Sequence, residues 1–156
     1  MTVRAIRGAI QVDADDRDAI LEATAELVTA VMTRNDLTPD DVISVLFTVT
    51  PDLTSEFPAL AARKLGFHAV PLMCATEIPV RGAMPRVVRL MAHVDTDRTR
   101  AQIQHVYLRG AAGLRLDIAQ LWPCLPDCRP ECSSAGPGSS APRSRSRCAT
   151  RGPRSS

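Results

Sequence analysis

Aromatic residues are scarce in this 156-residue chain, where Phe, Tyr and Trp together make up 3%. A core without them must be built from Val, Leu, Ile, Ala and Met, and the length suits about one such core. Lysine is nearly missing, with one residue against 18 arginines. The cationic groups are therefore rigid, always-charged forks rather than flexible ammonium groups. Long apolar runs are lacking too. Val42–Val49 falls far short of the roughly 18–20 residues that cross a bilayer, which excludes the usual pattern of a membrane-spanning helix. Cysteine is rare over residues 1–120, which contain only Cys74. The N-terminus passes from Met1 through Arg4 and Arg7 into the acidic Asp13–Asp18, unlike a secretory signal. The expectation is a cytoplasmic protein with no membrane partner.

The overall charge of +2 hides an uneven split. Residues 1–120 carry 13 Lys+Arg against 15 Asp+Glu, a net −2, while residues 121–156 carry 6 Arg against 2 acids, a net +4. The main part of the chain thus gives no basic footprint for nucleic acid. Residues 121–156 are rich in Pro, Ser, Gly and Arg with almost no apolar periodicity, and they are expected to form a disordered tail behind a domain spanning residues 1–120. The abruptness of the change points to a shift of reading frame in the gene.

What is present reads as alternating strands and helices. Thr2–Val12 is β-branched and strand-like, with Arg4 and Arg7 on opposite faces. Asp16–Arg34 repeats Ile20, Ala23, Leu27 and Val31 at spacings of three and four, with Val28 beside them, which predicts an amphipathic helix. Thr38-Pro39-Asp40-Asp41 is a helix-start signal of about one turn. Val42–Val49 then reads as a strand interrupted only by Ser44 and Thr48. A short helix is expected from Thr54 or Phe57 to Leu65, closed by Gly66. Further strands are expected at Ala69–Cys74, Arg86–Val94 and Ile103–Arg109, with turns at Pro79–Pro85 and Thr99–Gln102. The order β-α-β-α-β-β-β predicts a mixed α/β (α+β) domain with one major helix on one sheet face. The other face is left for copies of the same chain.

Several chemistries find no motif. His68, His93 and His105 lack metal-ligand spacing, Gly-x-Ser-x-Gly does not occur, and there is no glycine-rich phosphate loop. Cys124-x3-Cys128-x3-Cys132 lacks the second ligand pair of a zinc knuckle, so no metal is expected. Cys74 has no local base signature and reads on its own as a structural thiol. Arginine is more informative. Arg7 and Arg89 interrupt apolar strands, Arg63 lies on the short helix, and Arg115 follows Gly113-Leu114. Singly, each could be a surface ion pair. Together with Glu77, Tyr107 and Cys74, they could form a cationic pocket for a small molecule carrying two carboxylates.

These residues also fall in a familiar order. Arg4-Ala5-Ile6-Arg7-Gly8-Ala9, Thr50-Pro51-Asp52-Leu53, Phe57-Pro58-Ala59 and Ala62-Arg63 resemble the monofunctional AroH-class chorismate mutases. So do Val70-Pro71, Cys74, Glu77, Val80, Gly82, Arg89, the run Gln102–Leu108, and Leu114-Arg115. The matches keep their order over about residues 3–117.

The resemblance implies a homotrimeric pseudo α/β barrel with sheets inside, helices outside and active sites at the subunit interfaces. It implies conversion of chorismate to prephenate without any cofactor. Arg7 would bind a carboxylate, and Arg89 would reach the enolpyruvyl carboxylate and the ether oxygen. Glu77 and the Cys74 region would receive the ring hydroxyl. Phe57, Tyr107 and Leu114 would shape the pocket, with Arg63 and Arg115 near its mouth. Leu116 replaces the family's usual Pro, Leu60 stands where some relatives carry a lysine, and the resemblance ends beyond Ile118. Two other readings are an imine-deaminase-like trimer, whose Arg/Cys signature is not evident here, and a non-catalytic trimeric binding module.

Overall fold

In the computed structural model, which describes residues 1–115, the chain forms a five-stranded mixed sheet with its two α-helices packed on one face. The strands are β1 (Thr2–Gln11), β2 (Val42–Val49), β3 (Leu72–Thr76), β4 (Val87–Thr96) and β5 (Val106–Leu108). Helix α1 (Arg17–Asn35) connects β1 to β2, and the short α2 (Ala59–Lys64) precedes β3. The sheet order is β3-β2-β4-β1-β5. Central β4 runs antiparallel to both β1 and β2, while β3 and β5 lie parallel to their neighbours at the two edges. This agrees with the mixed fold class expected from the element order. No helix among the described residues is long and apolar enough to cross a membrane.

The core follows from period-two alternation in the strands meeting the helical stripe of α1. Ile6, Ile10, Phe47, Val88 and Val94 are fully buried against Ile20, Ala23, Leu27 and Val31. Gly8 allows the close approach. A Cβ there would lie 3.0 Å from Leu27 Cδ1 and 3.3 Å from the carbonyl oxygen of Val106. Asp16 caps α1, its carboxylate accepting from the amides of Asp18 and Ala19. At the other end buried Asn35 donates to the carbonyls of Val31 and Gln104 and accepts from the Gln104 amide, each at 2.9 Å. That side chain anchors the approach to β5.

Besides shifts of one or two residues at other ends, three elements differ from the sequence expectation. β3 begins at Leu72 rather than Ala69, because Pro71 has no amide to donate and serves only as acceptor to Val45. β5 is three residues long rather than seven. His105 meets the β1 edge through its ring, with Nδ1 accepting from the Arg7 amide at 3.1 Å, and Arg109 turns into the left-handed region at φ 52°. The chain then coils into a 3-10 segment, Arg109–Arg115, which the apolar pattern did not indicate. α2 starts at Ala59 because Thr54 and Ser55 are engaged elsewhere. Both donate to Asp15, and the amide bond from Thr54 foremost holds the Asp15 carboxyl below its ordinary value. The expected disordered tail, 121–156, lies outside the described residues.

The second face of the sheet is covered only at one end, where Ala9 and Val87 are buried against Ala111 of the 3-10 segment. Elsewhere on it Val3 is 56% exposed and Met73 66% exposed, beside half-buried Leu46 and more open Met91.

Candidate active site

The open face is where the arginines fall. Alternation places Arg7 on β1 and Arg89 on β4 on this side, and the register pairs Arg7 with Met91 and Ala9 with Arg89. The two guanidinium-bearing residues are therefore diagonal neighbours on adjacent strands, within reach of one small molecule. On the far side of β4, Thr48 of β2 is the direct Cα partner of Arg89. Glu77 follows the last residue of β3, and its amide continues the ladder by donating to the carbonyl of Val49 at 2.8 Å. Its carboxylate thereby reaches the same patch. Arg7, Leu46, Thr48, Glu77, Arg89 and Met91 line a cavity of about 500 Å³, within the range of small-molecule sites.

The polar contacts inside are specific. Thr48 Oγ1 donates to Glu77 Oε1 at 2.6 Å, and Arg89 Nε approaches the same oxygen at 3.3 Å. The Arg89 Nε is buried and has no hydrogen-bond acceptor in good geometry. The Tyr107 hydroxyl is likewise buried without a partner. Tyr107 sits two strands from Arg89, with Ala9 of the intervening β1 paired to both, and packs near Val87, Ala111 and Leu114. Two orphaned donors in one row of a sheet are uncommon, since buried polar atoms are nearly always satisfied. The Arg89 donor, in the cavity wall, suits a ligand rich in acceptor oxygens, whereas Tyr107 lies outside that cavity's lining.

His105 belongs to this edge as well. Burial, then the charges of Arg7 and Arg115, push its pKa below the ordinary 6.5, so the imidazole is held neutral between two guanidinium groups. With Nδ1 accepting from Arg7, the neutral ring carries its proton on Nε2.

The other expected residues are distributed differently. Cys74 pairs with fully buried Phe47 and packs against the helix-side core, so its thiol faces away from the cavity. The alternation of a strand allows Leu46 and Thr48, but not Cys74, to share the face of Arg89. Phe57, 70% exposed, and exposed Arg63 lie at α2 and do not line the cavity of their own chain. Leu114 packs beside Tyr107, and Arg115 acts on His105. Thr48 and His105 were not singled out from the sequence. Thr48 left a signal, since Ser44, Leu46 and Thr48 alternate along an otherwise apolar strand; the use of a histidine ring in place of a strand carbonyl left none. Among the described residues, no group of three or more His, Cys, Asp or Glu side chains could hold a metal ion.

Comparison with known proteins places this geometry. Residues 3–118 match the family model of chorismate mutase type I. The chain is 49% identical over 117 residues to chorismate mutase AroH of Thermus thermophilus, covering 74% of this chain and 96% of that protein. It is 40% identical over 120 residues to chorismate mutase AroH of Bacillus subtilis strain 168, covering 76% of this chain and 94% of the relative. A solved chorismate mutase from Clostridium thermocellum superposes with a TM-score of 0.70 at 44% identity, covering 70% of this chain and 98% of its own. With the match spanning almost the whole of each relative and the arginine-lined cavity inside the matched region, the chain belongs to the type I chorismate mutases.

Proposed function

We propose that the chain rearranges chorismate to prephenate on the open sheet face, acting as a cytoplasmic homotrimer in phenylalanine and tyrosine synthesis. The reading is carried by one observation: Arg7, Arg89 and Glu77 surround a single cavity, and the Arg89 Nε there is buried without an acceptor. In the rearrangement, the C–O bond breaks ahead of C–C formation. Negative charge builds on the ether oxygen while the ring becomes partly positive. No proton moves, so the chemistry requires neither a general base nor a cofactor.

What accelerates such a step is a cation fixed in advance beside the ether oxygen, because it binds the transition state more strongly than the substrate. Arg89 is assigned that role, bridging the oxygen and the enolpyruvyl carboxylate. Arg7 holds a carboxylate and helps keep the dianion folded in its reactive conformation, an orientational contribution. Glu77 takes the ring hydroxyl through its second carboxylate oxygen and stabilises the positive ring. The unpartnered Tyr107 hydroxyl donates to a substrate carboxylate, with Leu114 packed behind it and Arg115 at the edge.

Phe57 and Arg63 complete the mouth from a neighbouring subunit. Their distance from their own chain's cavity and the exposure of Val3, Met73 and Phe57 support a trimer with the sheets inside and helices outside. Light scattering should give three times the 16.8 kDa chain mass; a monomer would remove the interfacial site. The activity itself is tested by following the loss of chorismate's ultraviolet absorbance on adding the purified protein. Wild-type turnover with none in Arg89→Ala is expected, and an inert wild-type protein would refute the reading.

A further inference from the structure

Thr48 has no role in the rearrangement as described above, yet its hydroxyl grips the carboxylate that lies beside Arg89. We propose that Thr48 is a positioning residue, holding Glu77 by Oε1 so that the carboxylate cannot close on Arg89 as a two-pronged ion pair. The inference rests on the chorismate mutase reading of the cavity.

A guanidinium and a carboxylate brought together in a sheltered place ordinarily form two parallel, charge-assisted N–H···O bonds. That outcome is not reached here. Arg89 Nε stands 3.3 Å from Glu77 Oε1, and its N–H has no acceptor in hydrogen-bond geometry although the atom is buried. Two restraints keep the carboxylate from rotating onto it. The Glu77 amide is tied to the Val49 carbonyl at 2.8 Å, which fixes the backbone. The Thr48 hydroxyl then takes Oε1 at 2.6 Å, from a strand position whose Cα partner is Arg89 itself.

The consequence is electrostatic. A closed Arg89–Glu77 pair would cancel much of the positive field where the ether oxygen becomes anionic, and it would occupy the donors that the substrate needs. Restrained by Thr48, Glu77 keeps Oε2 for the ring hydroxyl, and Arg89 keeps its terminal nitrogens for the substrate. The requirement is for a hydroxyl, so serine meets it and isosteric valine does not.

The test uses steady-state chorismate turnover by the full chain, with Thr48→Val, Thr48→Ser and Glu77→Gln, and with Thr48→Val combined with Glu77→Gln. Thr48→Val is expected to lower kcat about tenfold, the size of a lost hydrogen bond to a charged group. KM should move less than about threefold, because substrate still meets Arg7 and Arg89 before the transition state. Thr48→Ser should stay within about twofold of wild type, and in the Glu77→Gln background the Thr48→Val change should cost less than about twofold. The neutral amide cannot form the competing ion pair, whereas a packing role would cost the same in both backgrounds. Thr48→Ala deletes the same hydroxyl without added bulk and carries the test if the valine variant does not fold. Unchanged kcat in the hydroxyl-deleted variant, or an equal cost with and without Glu77, overturns the proposal. A wild-type chain without turnover overturns the chorismate reading and this proposal together. Active wild type with an indifferent Thr48 variant overturns the positioning role alone.

Discussion

On one face of the sheet, Ile6, Ile10, Phe47, Val88 and Val94 lie fully buried beneath α1; on the other, Arg7, Thr48, Arg89 and Met91 surround an open cavity. The same strands supply both sets, one residue out of step. A slip of one position would drive the arginines into the apolar layer and turn the valines to water, so the packed face enforces the register of the reactive one. Placement of Arg7 diagonal to Arg89 is therefore a product of core packing that neither arginine specifies. The covered face supplies rigidity, and the open face supplies charge in fixed positions.

This division can be broken from either side. The largest effect is expected on the covered face, where Phe47→Ala should lower stability by about 3–5 kcal/mol through lost burial and a residual cavity. Urea unfolding measures it, and a loss under about 1 kcal/mol would mean that Phe47 does not organise the core. On the open face Arg89→Lys keeps the charge but loses the fork, and it should cost about 10²–10³ in kcat, or roughly 2.7–4 kcal/mol. Its melting temperature should remain that of wild type. Near-normal turnover in that variant would end the assignment of Arg89 to the ether oxygen.

A smaller effect is expected at the edge joining the two faces. His105 is held below its ordinary pKa of 6.5 by burial and by Arg7 and Arg115. The unfolded chain therefore takes up a proton near that value while the folded one resists. Above the unfolded pKa the group contributes no difference, and stability declines as pH falls from there through the depressed folded value. Denaturant midpoints at about pH 7.5 and about pH 5.5 should show the decline, with a shallower one in His105→Gln. A slope that His105→Gln leaves unaltered would assign the effect to other groups. The smallest expected effect is none at all. EDTA should leave the rate unchanged, and turnover should be nearly flat through neutrality, since no proton transfer limits the rearrangement; a chelator-sensitive rate would contradict the cofactor-free mechanism.

Much of this was legible in the residues. The stripe of Ile20, Ala23, Leu27 and Val31 gave α1, and alternation through Arg86–Val94 put Arg89 and Met91 on one side of β4. Arg7 and Arg89 were recognisable as a cationic pair because charges inside apolar strands need a reason, and Glu77 joined them from just after a strand. Cys74 stands apart from that set in its own chain: nearness to Glu77 in sequence suggested a shared site, and strand parity turns its side chain to the helix-side face. The short β5 was overextended because apolar content cannot reveal that a histidine ring replaces a strand carbonyl.

Amino-acid order by itself determined which residues are apolar at period two or near 3.6, and hence which elements form and which faces they bury. It also determined that, Lys64 aside, the cationic side chains are guanidinium groups. The tertiary structure decided which strands lie side by side, and with that the meeting of Thr48, Glu77 and Arg89 on three different strands or their ends. Periodicity is a local property of the chain, whereas a polar contact between residues 48, 77 and 89 depends on sheet order and register. Those are set by the summed packing of the whole apolar face, which no single segment encodes.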